Sequence, residues 1–176
     1  MDRRTLLAAS AALAICPGLS ARAASPSSPS AIIAEVYRRL IVEQNRAPGD
    51  LSPAYDPPDS LFAPALRQAL ADERREAKGE LGRLDFYFWV NGQDWSLSDL
   101  RIEERTVWRR PDRRVVTASF LNSGQPSLLE FYFQNHGGRW LVEEVASIPV
   151  PHDGEPGYGW TLSLILRFGR EEDDPA

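Results

Sequence analysis

The stretch that decides the fold is Ser127–Val145, "SLLEFYFQNHGGRWLVEEV". Leu129, Phe131 and Phe133 alternate with Leu128, Glu130, Tyr132 and Gln134, the two-residue period of a strand with one face in a core. Asn135–Gly138, "NHGG", tolerates the left-handed backbone of a tight turn, so the chain doubles back there as a hairpin. In the returning run the same alternation puts Trp140, Val142 and Glu144 on one side, and Leu141, Glu143 and Val145 on the other.

Working outward from the hairpin, "LRIEERTVWRR" and "RRVVTASFLNS" read as two more strands around Pro111-Asp112, a good turn pair. Further upstream, Phe86–Val90 of "LDFYFWVNGQDWSLSDL" is a continuous apolar run that reads as a buried strand, ended by the polar residues Asn91 to Asp94. Strands this close in sequence, joined by short turns, predict an antiparallel meander. Downstream, "PVPHDGEPGYG" is a loop, and "WTLSLILRF" (160–168) fits a strand or a short helix equally well.

Before the strands the period changes to that of a helix. Ile33, Val36, Tyr37, Leu40 and Ile41 share one face, with Glu35, Arg38, Arg39 and Glu43 opposite, and Pro48-Gly49 stops the run. A proline-rich loop follows. A second helix is predicted from Ser60 as N-cap, with Leu61, Phe62, Ala65, Leu66, Ala69 and Leu70 inward and the charged "ADERREAKGE" projecting into water. Helices first and strands after make an α+β domain, with the helices packed on the concave face of a curved antiparallel sheet. Its predicted span is 31–168, after a flexible leader (24–30) and before a disordered acidic tail (169–176).

The first residues have another logic. Arg3 and Arg4, an apolar run from Leu6 to Ile15, Pro17-Gly18 and then Ala21-Arg22-Ala23 form the three-part layout of a secretory signal cleaved after Ala23. The apolar run is about half of the ~20 residues that span a bilayer. The paired arginines fit the twin-arginine route in part, with Asp2 where Ser or Thr is usual, and an ordinary secretory signal fits as well. Cleavage leaves the 153 residues from Ala24 to Ala176. It removes Cys16, the only cysteine, together with three arginines and one aspartate, so the charge moves from −5 to −7. The expected compartment is the periplasm or the exterior. A net acidic domain without cysteine is a poor general binder of nucleic acid or anionic lipid, and no disulfide, cysteine-held metal or membrane association after cleavage is expected.

With these elements in order, "LDF" followed by "VNGQDWSLSDLRI", then "VTASFLNSGQPSLLEF", then "GGRWLVEEV" resembles the exported bacterial family catalogued as domain of unknown function 3828. The order of helices and strands also resembles the cystatin-like, nuclear-transport-factor-two-like cone. Tyr87 and Phe88 stand where members of the family often carry Asp-Pro. The resemblance implies a fold and a compartment; it brings no reaction and no cofactor.

Candidate sites are few. Asn91, Gln93, Asp94 and Trp95, with the nearby aromatics Tyr87 and Trp89, are candidate ligand-binding residues at the mouth of a cone. The competing reading makes Asn91-Gly92 a turn whose polar side chains bond the loop backbone. His136 and His152, the only histidines, fall in loops, and a His152/Asp153 pair lacks the ligand number of a metal site. "WRRPDRR" reads as a solvated hairpin tip. Tyr87, Trp89 and Tyr132 would form an exposed aromatic patch if strand alternation turned them outward. No catalytic residue, cofactor or metal ligand is assigned. The predicted function is a non-enzymatic binding or accessory domain for a small molecule or an envelope protein. A small hydratase- or isomerase-like enzyme with Asp94 as base, and a structural homodimer, are the alternatives.

Overall fold

A computed structural model describes residues 28–169. The predicted signal and its cleavage point at Ala23, and the acidic tail from Arg170, lie outside the described residues. The domain is α+β: three α-helices, a short 3-10 turn and a five-stranded antiparallel sheet.

α1 (Pro29–Gln44) begins earlier than its apolar period suggests. Ser28 caps it by accepting from Ala31 N–H, and Pro29 occupies the first turn, where no backbone donor is needed. Ser28–Ser30 therefore belong to the helix start and not to a leader. α1 ends at Gln44, before Pro48-Gly49. Ser60 lies in a 3-10 turn (Asp59–Leu61), and α2 (Pro64–Ala77) starts at Pro64. Phe62 intervenes in an extended conformation and Ala63 N–H donates to Val142 O at 2.8 Å, which fixes the approach to the helix.

The sheet is a plain meander, β1 (Leu97–Val107), β2 (Arg110–Asn122), β3 (Gln125–His136), β4 (Arg139–Ser147) and β5 (Trp160–Thr161), in that spatial order. The hairpin between β3 and β4 turns at Gly137 and Gly138, both at positive φ, inside the predicted "NHGG". The β2–β3 turn is Ser123-Gly124, at φ 51° and 84°, the paired left-handed residues of a type I′ turn. Pro111-Asp112 is not the first turn. The chain reverses at Trp108-Arg109, with Arg109 at positive φ, and Pro111 and Asp112 sit inside β2 where the register with β1 slips.

Leu129, Phe131 and Phe133 are buried as the alternation requires. In β4 the alternation breaks. Tyr132 pairs with Glu144 and the next residue, Phe133, with Val142, so Glu143 is an extra residue. The bulge carries Val145 to the core beside Phe131, and moves Glu144 to the other face. There its carboxylate accepts from Ser163 Oγ and from Ser163 N–H. The 160–168 segment is both predicted things in turn: β5, then α3 (Leu162–Phe168).

The largest departure is Phe86–Val90, which forms no strand. Tyr87 N–H donates to Gly92 O at 2.9 Å and Val90 N–H to Tyr87 O at 3.1 Å, closing a compact turn with Asn91 at φ 55°. Phe88, Trp89 and Val90 are all buried, three in succession, which a strand packed on one face cannot achieve. The turn is a plug in the core. Trp89 stacks on Phe131 with centroids 5.3 Å apart and meets Phe62 at 5.8 Å. Ile33, Val36, Tyr37 and Leu40 of α1, and Leu66 and Leu70 of α2, belong to the same core cluster. The patch expected of Tyr87, Trp89 and Tyr132 therefore does not exist. Trp89 is 1 % exposed, and Tyr132 lies on the sheet face away from Phe131, in register with Glu144.

Candidate functional site

Burying a turn is costly unless its carbonyls find donors. Two side chains supply them. Tyr37 O–H donates to Trp89 O at 2.8 Å, and burial pushes the Tyr37 hydroxyl pKa well above its ordinary value. Asn122, at the end of β2, donates to Val90 O at 3.0 Å and Asp94 O at 3.2 Å while accepting from Ser96 N–H at 2.9 Å. Two polar side chains of "NGQDW" tie the turn to its surroundings. Asn91 accepts from the Trp160 indole N–H at 2.7 Å, and Gln93 donates to Asp85 O at 3.3 Å. Trp95 packs on Tyr87, centroids 5.6 Å apart. Asp94 is exposed, and its contact with Asn122 is through its backbone.

Beside this plug lies a cleft of about 470 Å³, within the range of small-ligand pockets. α2 contributes Leu70, Glu73, Arg74 and Ala77. The chain before α2 contributes Asp56, Asp59 and Phe62, and the stretch after it contributes Gly82, Leu84 and Phe86–Trp89. Of the predicted binding residues, Tyr87 and Trp89 line this cleft. Asn91 instead lines a separate depression with His152 and Asp153, and Gln93, Asp94 and Trp95 line neither. The structure thus divides the predicted group.

Glu73 is the residue that the sequence reading missed. It falls in a charged run, yet it is 5 % exposed, the most buried acid among the described residues. Its carboxylate accepts from Arg83 Nε at 2.7 Å and from Leu84 N–H at 3.2 Å, clamping the stretch after α2 onto the helix. Burial alone would raise its pKa; the bonds from Arg83 and from the backbone outweigh it and leave the acid below its ordinary value. Gly82 lies against this carboxylate, and a methyl group there would collide with it. The available signal was spacing, since Leu66, Leu70 and Glu73 continue one helix face.

The rim is polar. Tyr87 O–H donates to Asp56 at 3.2 Å, and Arg74 pairs with Asp59 at 2.5 Å. Burial first, and the Asp56 charge second, raise the Tyr87 pKa far above that of a free phenol. Glu130 sits away from the cleft in β3, where Arg105 lies 3.1 Å from it and Tyr132 O–H donates to it at 2.6 Å. That bond, with burial, pushes Tyr132 up to about 12.

The remaining sequence candidates resolve simply. His136 lies 3.4 Å from Glu143, and His152 lies 3.2 Å from the well-exposed Asp153. Within "WRRPDRR", Arg110 pairs with Asp112, Arg113 with Glu143 and Arg114 with Glu104, while Trp108 projects into water. Among the described residues no group of three His, Cys, Asp or Glu side chains is placed to hold a metal ion, and no helix is long and apolar enough to cross a membrane. Comparison with protein-family models, curated proteins and solved structures found no match to this chain.

Proposed function

We propose that the protein is an exported binding or accessory domain, periplasmic or secreted, that holds a small, largely apolar ligand in the cleft beside α2. The single observation that carries this reading is the aromatic floor. Phe62, Phe86, Phe88 and Trp89 line a cavity of ligand size whose rim carries the Tyr87 hydroxyl, Asp56 and the Asp59–Arg74 pair. An apolar interior with a few orienting polar groups is the usual composition of a binding pocket. Export is supported by the basic, apolar, small-residue order of the first 23 residues. The finer fold, a cystatin-like cone, and membership of the family of unknown function 3828 are part of the same proposal, supported by the meander, by the packing of α1 with the sheet core and by the three ordered motifs.

The enzyme reading draws less from the geometry. Asp94 is exposed and outside the cleft, and the buried acid Glu73 is already engaged by Arg83 and Leu84. Those bonds hold the Glu73 pKa below its ordinary value, which makes it a weak base.

Native mass spectrometry of the protein purified from its own host tests the proposal, with Ala77→Trp as the variant that fills the cleft. The expected result is a small molecule retained by the wild type and lost from a normally folded Ala77→Trp. A wild type that carries nothing, or a variant that retains the same molecule, would count against the cleft.

A further inference from the structure

The two edges of the sheet differ. On one side β4 is covered, by β5 at Ala146 and Ser147 and by Phe62, which bridges Val142. On the other side no strand among the described residues pairs with β1, which is 11 residues long, although the Gln44 side chain takes up the N–H and carbonyl of Leu97 at its start. An uncovered edge of that length is a template for another strand unless its side chains repel one. Along the sheet face turned from the core, β1 carries charges of alternating sign, Arg101, Glu103 and Arg105. Arg105 is held by Glu130. The side chains of Arg101 and Glu103 are exposed and make no ion pair or hydrogen bond among the described residues. Ile102, between them, is half-buried against the core.

We propose that this edge takes a second copy of the same chain, with two β1 strands pairing antiparallel about a two-fold axis at Ile102. Residues Leu100–Glu104 of each strand form the ladder, and the two five-stranded sheets become one. Arg101 of each copy then faces Glu103 of the other, twice per dimer. Opposite charges directly across a strand pair stabilise it and like charges destabilise it. Charge also disfavours the two neighbouring registers. Moving the axis to Glu103 sets Glu103 against Glu103 and Arg101 against Arg105. Moving it to Arg101 sets Arg101 against Arg101 and Asp99 against Glu103. Of these three registers, which keep the same faces aligned, the one at Ile102 alone opposes unlike charges. The irregularity between Ser98 and Arg101, with Asp99 at φ 53°, bounds the ladder at one end and keeps the interface short and reversible.

Sedimentation equilibrium of the purified protein over a wide concentration range tests this, alongside Arg101→Glu, Glu103→Arg and the double exchange. The wild type should dimerise with concentration and less so at high salt. Each single reversal should weaken the dimer by roughly tenfold or more, and the double exchange should restore it. Because neither side chain has a partner among the described residues, the melting temperature of each variant should stay with the wild type. Should a reversal fail to fold, Arg101→Gln and Glu103→Gln read the same pairing, each with a smaller weakening. A monomer at every concentration, a double variant no better than the singles, or a dimer indifferent to both reversals would overturn the proposal.

Discussion

Asn122 joins the sheet to the aromatic turn through one side chain that both donates and accepts. Replacing it with alanine strips Val90 O, Asp94 O and Ser96 N–H of their partners; the Val90 bond is buried and the other two are part-buried, and a fully buried group left unpaired costs about 1–3 kcal/mol. The expected loss is about 2–4 kcal/mol, read from urea unfolding. A loss under about 1 kcal/mol would mean that the turn holds itself. Glu73 gives a second prediction at this scale, with a definite sign. Its folded pKa lies below the ordinary carboxylate value, so its stabilisation is present at neutral pH and is lost as pH falls through the folded pKa. Glu73→Gln should therefore be less stable than wild type near pH 7, by about 1–3 kcal/mol. The gap should close in acid. Glu35, Asp50, Asp72 and Asp112 also titrate low, so the difference between the two proteins, not the wild-type curve, is the quantity to follow. A gap that stays constant down to acid pH would contradict the clamp. Neither residue could be assigned this work from sequence. Asn122 reads as one polar residue before a turn, and Glu73 as one acid among many, because partners 28 and 11 positions away decide their roles.

Elements were legible where the local pattern and the tertiary demand agreed. β3 alternates in sequence and alternates in burial, and Gly137 and Gly138 take the positive φ of the turn at little cost. β4 begins on pattern and then departs, since the bulge at Glu143 brings Val145 inward and no single-strand period foresees an inserted residue. Phe86–Val90 misled for a related reason. A short apolar run fits a buried strand or any buried segment, and here three successive side chains fill the space between the helices and the sheet. The type I′ turn at Ser123-Gly124 yields a prediction of its own. Ser123 holds φ 51°, a conformation asparagine tolerates better than serine and β-branched residues tolerate poorly. Ser123→Asn should raise stability by a few tenths to about 1 kcal/mol, and Ser123→Val should lower it by about 1 kcal/mol or more. Equal melting temperatures for the two variants would mean that the turn does not govern the hairpin.

Across the whole molecule, the plug and the cleft are two consequences of one arrangement. The aromatic turn fills the sheet side of the space between α1 and α2, and what it leaves open is bounded by α2, the 56–62 segment and the clamp at Glu73. Sequence reading put the candidate site at Asn91, Gln93, Asp94 and Trp95 because polar residues beside aromatics suggest a pocket mouth. It reached Tyr87 and Trp89 but not the α2 wall, since a cavity formed by three separate segments leaves no contiguous motif. The most direct test of the account is chemical-shift mapping of the labelled protein against a library of small aromatic and alkyl amines and carboxylates. The account predicts that the fragments which bind shift the amides of Leu70, Ala77, Gly82, Leu84 and Phe88 together. Shifts gathered instead on Asn91, Gln93 and Asp94, or a library that leaves the cleft amides unmoved, would contradict it.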